Sequence, residues 1–204
     1  DGPVDLTELI AEASMWANAK LKSSITTEDT IISFADGVGF NQVMINDVLI
    51  LDRIRMPEKL LVVDFDEIEA KSEQPLLMAE KFILAVGRME EDNIKQFDKL
   101  LESYADSQLP SQNIHLVFLG DGMFKSKLES IVAKANLASF VHFKGFQKNP
   151  YAFMKQAQFL VLSSRNEGYP NVLIEALACG TPVISFDCES GPNEIIQQEQ
   201  NGLL

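Results

Sequence analysis

The chain has 204 residues, of which 30 are acidic and 17 basic, and its formal net charge at pH 7 is −13. A balance this acidic excludes a general affinity for nucleic acid, because polyanion binding depends on clustered lysine and arginine. Hydrophobic residues make up 46% of the chain, which is enough to form a core in one or two domains. Any phosphate group that the protein binds must therefore be held by local donors and not by the overall charge.

The sequence shows no membrane or secretion signal. No apolar run approaches the length of about 20 residues that a membrane-spanning helix needs, and the first residues lack the basic and apolar regions of a signal peptide. We therefore expect a cytoplasmic protein. Cys179 and Cys188 have neither C-x-x-C spacing nor a neighbouring histidine, so we expect reduced thiols. The missing initiator methionine and the apolar run at the last residues indicate a piece of a longer chain.

The first 80 residues show a fragmentary α/β pattern. Apolar spacing predicts an amphipathic helix over 5–20, strands over 30–35, 47–52 and 59–63, and the start of a helix over 40–45. Gly37 and Gly39 resemble a phosphate-binding loop only weakly, and a plain strand-to-helix turn is the favoured interpretation.

Asp64 and Asp66 form an Asp-x-Asp pair near the end of this region. Such a pair can hold a divalent cation together with a nucleotide diphosphate. It can also open a helix, where an aspartate caps free N–H groups and Glu67 and Glu69 favour the positive end of the dipole. We favour the helix start and expect no metal site.

From residue 81 onward, apolar strands and helical patterns alternate at short intervals. Strands are predicted over 82–87, 114–120, 140–143, 159–164 and 182–186, and helices over 93–106, 123–136, 150–157, 170–179 and 192–198. Continuous apolar strands separated by helices predict an α/β fold, a Rossmann-like parallel sheet with helices on both faces. We therefore predict an incomplete N-terminal α/β region with a linker over 1–80 and a Rossmann-like domain over 81–204 that is truncated at its end.

Ligands of such folds bind at the carboxyl ends of the strands, and glycines recur there in this sequence. They occupy the positions Gly87, Gly120, Gly122, Gly145, Gly168 and Gly191. Any one of them can serve only a tight turn. The whole set favours a place where backbone approaches a ligand.

Arg88 and Lys95 follow the first of these strands and are candidate anion partners in an acidic protein. The guanidinium offers a planar fork and the ammonium a mobile point charge, so together they can neutralise a diphosphate. The alternative is a solvated arginine and a lysine on a helix surface. The residues alone leave both open.

Glu167 and Glu175 lie eight positions apart around a predicted helix that starts near Tyr169 and ends at Gly180. Eight helical residues span roughly 12 Å, comparable to the separation between the ribose and the sugar of a sugar nucleotide. The helix start can bind an anion, and Glu167 can act there or simply cap the helix. Glu175 interrupts an apolar helix flank and needs a partner, which vicinal ribose hydroxyls would supply.

The other common catalytic patterns are missing. His115 and His142 fall inside predicted strands and are interpreted as ordinary strand residues. Gly120-x-Gly122 lacks the third glycine of the dinucleotide fingerprint, and neither a nucleophilic serine elbow nor a Walker sequence occurs.

Residues 82–204, about three fifths of the chain, resemble the C-terminal, donor-binding domain of a retaining GT-B glycosyltransferase of the family 4 type, glycosyl transferases group 1. The resemblance rests on AVGRM with Lys95, VFLGDG, FKGF, SSRNEGYPNVLIEALACGTPVIS with its Glu-x7-Glu element, and SGPNEII. The first 80 residues resemble the acceptor-binding domain only weakly. The spacing from Arg88 to Lys95 is longer than the common form, because EEDNI precedes the lysine.

The resemblance implies a role for each matching residue. Arg88 and Lys95 would contact the donor diphosphate, Glu175 the nucleotide ribose, and Glu167 the transferred sugar. Gly87 would also bind substrate, and Gly120, Gly122 and Phe146 would border the base. The backbone atoms of the next group would face sugar hydroxyls and phosphate: Gly168, Tyr169, Pro170, Asn171, Val172 and Leu173.

The expected function is a metal-independent, retaining transfer of a hexose or N-acetylhexosamine. The donor is a nucleoside diphosphate sugar, with UDP the expected nucleotide, and there is no other cofactor. The acceptor is a cell-envelope glycan or a lipid-linked glycan, and N-terminal parts would attach the protein peripherally at the inner face of the plasma membrane.

Two alternatives stay open. The chain can be a nucleotide-sugar-binding module that is catalytically incomplete as this fragment. It can also be another GT-B enzyme, although no cofactor lysine is evident for a phosphorylase and the Glu-x7-Glu context disfavours an epimerase.

Overall fold

The computed structural model describes residues 65–78, 80–188 and 191–204, together with three short strands nearer the N-terminus. These strands, β1 (Ile32–Phe34), β2 (Gln42–Ile45) and β3 (Val48–Asp52), form an antiparallel sheet in sequence order. The predicted strands over 30–35 and 47–52 are confirmed in their central residues. The predicted helix over 5–20, the strand over 59–63 and the turn at Gly37 and Gly39 lie outside the described residues.

The prediction that a helix begins over 40–45 is wrong, because Gln42–Ile45 is the middle strand of this sheet. It pairs on one side with β1 and on the other with β3. β-branched Val43 and Ile45 favour the extended backbone, and pairing on both sides decides between two conformations that a short apolar run leaves open.

Helices and strands then alternate to the last residue. They are α1 (Phe65–Ser72), β4 (Lys81–Val86), α2 (Phe97–Asp106), a 3₁₀ turn (Pro110–Gln112), β5 (Ile114–Leu119), α3 (Lys125–Lys134), β6 (Val141–Phe143), α4 (Tyr151–Gln156), β7 (Leu160–Leu162), α5 (Asn171–Ala178), β8 (Val183–Ser185), α6 (Pro192–Ile195) and β9 (Gly202–Leu203).

The five strands and five helices predicted beyond residue 81 are all present; β4 has the predicted length but begins one residue earlier, and the others are somewhat shorter than predicted. The largest difference is at α2, which begins at Phe97 and not at 93. Asn93 and Gln96 adopt the left-handed conformation, with φ of 49° and 48°, and this ends any helical continuation toward the N-terminus. β9 was not predicted as a strand, because its two residues are too few to show a period.

Strands β4 to β9 form one parallel sheet in the order β6-β5-β4-β7-β8-β9. From β4 the chain first moves outward through β5 to β6, then returns across the sheet to place β7 on the other side of β4. β4 and β7 are therefore neighbours from which the chain continues to opposite sides of the sheet. The predicted Rossmann-like parallel sheet is confirmed, and its topological switch point lies between β4 and β7.

The core has two halves, one on each face of the sheet. In β4, Ile83 and Ala85 pack with α2 and α3 on one face, whereas Phe82 and Leu84 pack with α1, α4 and α5 on the other. This two-sided burial explains why the strands appear in the sequence as continuous apolar runs. Both loops at the switch point are thus attached to rigid, fully buried strands.

Helix α1 begins at Phe65 with Asp66 and Glu67 in its first turn, which confirms the predicted acidic helix start. Asp64 lies outside the described residues. Ile68 packs into the core beside α4 and α5, so α1 is part of the same packed unit as the parallel sheet. In the described part of the chain, none of the helices has the length and apolarity that crossing a membrane requires.

The loops after β4 and β5 touch at a glycine. Gly120 has a φ of 125°, and a Cβ at this position would lie 2.0 Å from the carbonyl oxygen of Gly87. No side chain fits at this distance. The two glycines therefore set how closely the first two loops of the sheet's carboxyl edge approach each other.

We predict that Gly120→Ala lowers the free energy of unfolding by about 3 kcal/mol, because it combines a backbone clash with a strained φ. Urea denaturation measures this. Gly168→Ala is the matched control, since a Cβ there meets no atom within 4 Å, and it should change stability by less than about 1 kcal/mol. An unchanged unfolding midpoint for Gly120→Ala would contradict the close approach.

Candidate functional site

Two loops meet at the switch point. We call them the β4 loop, residues 87–96, and the β7 loop, residues 163–170. The Ser163 hydroxyl donates to the Lys95 carbonyl oxygen at 2.6 Å, and the Arg165 backbone N–H donates to the Ile94 carbonyl oxygen at 3.0 Å. The Arg165 guanidinium donates to the Asp92 carbonyl oxygen at 2.9 Å. Three hydrogen bonds therefore join the end of one loop to the beginning of the other.

Lys95 and Glu167 form an ion pair across this junction, with Nζ and Oε1 2.5 Å apart. The side chains are only 25% and 13% exposed, so both charges are partly removed from water. The alkyl stem of Lys95 lies over Gly87, where a Cβ would come within 3.1 Å of its Cε atom. The structure thus brings together two predicted site residues that are 72 positions apart, and a third, Gly87, leaves room for the Lys95 side chain.

Arg88 is placed quite differently. Its side chain is 86% exposed, and its guanidinium lies a loose 3.8 Å from the Glu90 carboxylate. It borders a pocket of about 340 Å³, together with eight other residues, namely Val86, Gly87, Leu119, Gly120, Asp121, Phe146, Gln147 and Pro150. Four predicted site residues, Gly87, Arg88, Gly120 and Phe146, therefore line one pocket.

Of the residues predicted to border the base, Gly120 and Phe146 line this pocket and Gly122 does not. Phe146 is 77% exposed and presents an open aromatic face to the solvent. Gly122, with a φ of 152°, packs against Met89, whose carbonyl oxygen would be 2.2 Å from a Cβ. Its close contact is therefore with the β4 loop and not with the pocket.

Helix α5 begins at Asn171, one residue after Pro170 and close to the predicted start. The N-cap residue, Pro170, has no polar side chain, so it makes no capping hydrogen bond to the N–H groups of the first turn. Gly168 and Asn171 are exposed, Tyr169 and Val172 are half-buried, and Pro170 and Leu173 are buried. Leu173 packs in the core, so contact with a ligand there would come from backbone atoms.

The C-terminal end of α5 has the geometry that the sequence predicts. Gly180 has a φ of 76°, its N–H donates to the Leu177 carbonyl oxygen, and the Thr181 N–H donates to the Ala176 carbonyl oxygen. These two bonds define a Schellman motif, which requires a left-handed residue and favours glycine. The helix is therefore eight residues long, or about 12 Å.

Glu175 is half-buried on α5, and burial raises its pKa above the ordinary value of 4.5. Among the described residues, its carboxylate has no hydrogen-bond or ion-pair partner. An unpaired, half-buried carboxylate is costly unless a ligand supplies donors. The predicted need for a partner is thus seen in the structure, while the partner itself stays a prediction.

Two buried hydroxyl groups lie at this end of the sheet; Ser164 was missed by sequence reasoning, and Tyr169 was predicted to act only through its backbone. The Ser164 Oγ and Tyr169 Oη atoms are buried and have no hydrogen-bond partner in the described residues. Burial, with a smaller contribution from Glu194, raises the pKa of Tyr169 to about 12, so the phenol is neutral at physiological pH. Ser163 and Arg165 were also missed, although their place directly after an apolar strand is a visible signal.

The histidines lie away from these loops. His115 is the second residue of β5 and pairs with His142 of β6, with 2.8 Å between Nδ1 and Nε2 and the rings stacked. The prediction that they are strand residues is confirmed, although their mutual contact was not foreseen. Within residues 65–78, 80–188 and 191–204, no three side chains of His, Cys, Asp and Glu are grouped so that they could hold a metal ion.

We predict that Glu175→Gln stabilises the chain near neutral pH and not in acid. Below its ordinary pKa of 4.5, this carboxyl is protonated in both folded and unfolded chains. As the pH rises, the unfolded chain loses the proton first, so ionisation favours unfolding and the substitution removes that penalty. Urea midpoints at about pH 4 and pH 7 test this. Glu129→Gln, on the exposed face of α3, is the control. An equal effect of Glu175→Gln at both pH values would contradict the burial argument.

A family model described as "Glycosyl transferases group 1" matches residues 66–204. An uncharacterized glycosyltransferase of Methanocaldococcus jannaschii is 37% identical over 152 residues, which cover 69% of this chain and 36% of that protein. A Campylobacter jejuni protein, N-acetylgalactosamine-N,N'-diacetylbacillosaminyl-diphospho-undecaprenol 4-alpha-N-acetylgalactosaminyltransferase, is 36% identical over 142 residues, covering 70% of this chain and 38% of that protein. The chain thus spans little more than a third of the length of these relatives.

Solved structures agree in fold. A variant of S. aureus TarM in complex with fondaparinux, alpha-GlcNAc-glycerol and UDP matches with a TM-score of 0.58 at 28% identity, covering 61% of this chain and 25% of that one. The apo form of the lipopolysaccharide outer core galactosyltransferase WaaB matches with a TM-score of 0.54, also at 28% identity, covering 65% of this chain and 38% of that one. Together with the family model, these likenesses show that the chain belongs to the glycosyl transferases group 1, the retaining family 4 type with a GT-B fold.

Proposed function

We propose that this chain carries the donor-binding half of a glycosyltransferase that moves a hexose or N-acetylhexosamine from a UDP-sugar to a lipid-linked or cell-envelope glycan. The observation that carries this proposal is the Lys95–Glu167 ion pair at the switch point, with the Arg88 pocket beside it. The pair puts a cation suited to phosphate and a carboxylate suited to sugar hydroxyls within hydrogen-bonding distance of each other.

The donor fits the crevice in one direction. Its diphosphate lies between Arg88, Lys95 and the N-terminus of α5, where two side-chain charges and the helix dipole oppose its charge. The ribose hydroxyls donate to Glu175, and the base enters the pocket bordered by Gly120 and Phe146. The sugar then lies beside Glu167.

Chemistry follows from this placement. The bond between the sugar's anomeric carbon and the diphosphate oxygen breaks, and the acceptor hydroxyl forms the new bond on the same face. The acceptor's proton passes to the departing diphosphate, so no separate protein base is needed. Arg88, Lys95 and the helix N-terminus stabilise the growing negative charge, and Glu167 orients the sugar and stabilises its positive charge. These groups take the role that a divalent cation plays in metal-dependent transferases.

The relatives support the choice of donor and acceptor. The C. jejuni enzyme's name describes transfer of N-acetylgalactosamine to a diphospho-undecaprenol acceptor, and a match from Escherichia coli is named lipopolysaccharide 1,6-galactosyltransferase. The S. aureus TarM structure contains UDP. Residues 81–204, with α1 packed against their sheet, would form the donor domain, and the residues before α1 would form part of the acceptor side, working at the inner face of the plasma membrane.

A second candidate is a nucleotide-sugar-binding module that does not catalyse transfer by itself. The observation that favours it is that Arg88, Lys95 and Glu175, which the described residues bring to the site, would all contact the nucleotide part of the donor, so donor binding alone accounts for them. Donor binding is common to both candidates, and only turnover separates them.

We predict that UDP binds more tightly than GDP, and that Lys95→Ala and Arg88→Ala each weaken UDP binding by roughly tenfold or more, the loss expected for a charge-assisted hydrogen bond. Calorimetry with UDP, GDP and uridine measures this. Uridine affinity should be unchanged, because the nucleoside has no phosphate. Lys99→Ala is the matched control, since Lys99 is an exposed lysine paired with Glu102 on α2.

We also predict that Glu167→Ala and Arg88→Ala reduce sugar transfer and donor hydrolysis by at least about tenfold, with activity unaffected by EDTA. Undiminished turnover in both variants would overturn the assignment. Binding of UDP without turnover, tested with undecaprenyl-linked acceptors, would favour the binding module.

A further inference from the structure

Lys95 stands on a loop whose backbone is unusual. Asn93 and Gln96, on either side of it, both adopt the left-handed conformation without being glycine. Such residues cost of order 1 kcal/mol each and persist when surrounding contacts hold them. Besides the bond that the Asn93 side chain donates to Asp98, contacts from neighbouring elements can hold the segment from Asp92 to Gln96.

The β7 loop supplies those contacts. The hydroxyl of Ser163 and two N–H groups of Arg165 donate to the carbonyl oxygens of Lys95, Ile94 and Asp92. Ser163 is 1% exposed, so its bond to Lys95 is protected from water. Of the four carbonyl oxygens from Asp92 to Lys95, three thus accept hydrogen bonds from the β7 loop.

The beginning of the β4 loop is held by a different neighbour. The Met89 N–H donates to the Asp121 carbonyl oxygen at 2.9 Å, and the Phe124 N–H donates to the Met89 carbonyl oxygen at 2.9 Å. Both partners belong to the segment after β5. Arg88 is therefore fixed from the β5 side and Lys95 from the β7 side, so the two cations are positioned independently.

We propose that Ser163 and Arg165 are positioning residues that hold Lys95 where it meets the donor diphosphate. This rests on the proposed function. The two residues touch the Lys95 backbone segment and act through it, so their removal lets the segment between Asn93 and Gln96 relax and moves the ammonium away from its place over Gly87. The spacing from Arg88 to Lys95 is longer than the common form, and the hydrogen bonds from the β7 loop hold the end of this longer segment in place.

The test is a set of double-mutant cycles on UDP affinity, measured by calorimetry. Ser163→Ala weakens UDP binding roughly fivefold, the effect of one hydrogen bond, and leaves uridine binding unchanged. In a Lys95→Ala background, Ser163→Ala has no further effect, because the cation that it positions is gone. In an Arg88→Ala background, the same substitution again costs roughly fivefold. Ser163→Thr, which keeps the hydroxyl, restores affinity.

Two further variants make the test decisive. Arg165→Ala removes an exposed side chain, so it tests the proposal even where Ser163→Ala impairs folding, and it should weaken UDP binding about twofold to fivefold only when Lys95 is present. Ser72→Ala removes another buried hydroxyl that donates to a backbone carbonyl, within α1, and should leave affinity unchanged.

The outcomes separate this inference from the proposed function. Wild-type chain that binds neither UDP nor GDP overturns both. If wild-type binds UDP and Lys95→Ala weakens binding, then unchanged affinity in Ser163→Ala and Arg165→Ala overturns only the positioning role. Equal losses from Ser163→Ala with and without Lys95 would show a general structural effect and would also overturn it.

Discussion

The ion pair between Lys95 and Glu167 depends on the order of strands in the sheet. It forms because the chain, after building β5 and β6 on one side of β4, crosses back to lay β7 on the other side. At that point two loops leave adjacent buried strands, and each contributes one charge to a contact that is largely shielded from water. Removing one partner of such a partly buried pair is costly, because the remaining charge is then unpaired in a place that water solvates poorly. Without a ligand the two charges satisfy each other. On the proposed function, a donor exchanges these partners, so that its diphosphate takes Lys95 and its sugar takes Glu167.

This local arrangement explains how a chain with a net charge of −13 could bind an anion. The favourable field comes from a few groups at the switch point, namely Arg88, Lys95 and the N-terminus of α5, and not from the surface as a whole. Long-range steering would disfavour a polyphosphate, whereas close contacts within a crevice are far less screened. On the proposed function, the half-buried carboxylate of Glu175 would add discrimination, because it would stabilise a ligand only where hydroxyl donors reach it.

Much of the fold was predictable because its physical causes are local. Both faces of the parallel sheet are covered, so each strand is a continuous apolar run, and α5 ends where Gly180 can adopt a positive φ. Errors arose where the local sequence favours neither helix nor strand. Gln42–Ile45 is a strand because neighbours pair with it, and β9 is too short to have a period. Several residues predicted to form a site lie close together in the structure, but the contacts that join them could not be predicted. Contacts such as Ser163 to Lys95 and Lys95 to Glu167 join positions about 70 apart, and they depend on a strand order that hydrophobic patterns leave open.

The central claim is that a nucleoside diphosphate occupies the crevice between the β4 and β7 loops. Titration of ¹⁵N-labelled chain with UDP, followed by amide chemical shifts, tests it most directly. We predict that the largest shifts fall in residues 87–95 and 165–173, with smaller ones near Phe146 and none at the far end of α3 around Lys134. Shifts confined to other surfaces, or spread evenly along the chain with the two loops unaffected, would contradict it.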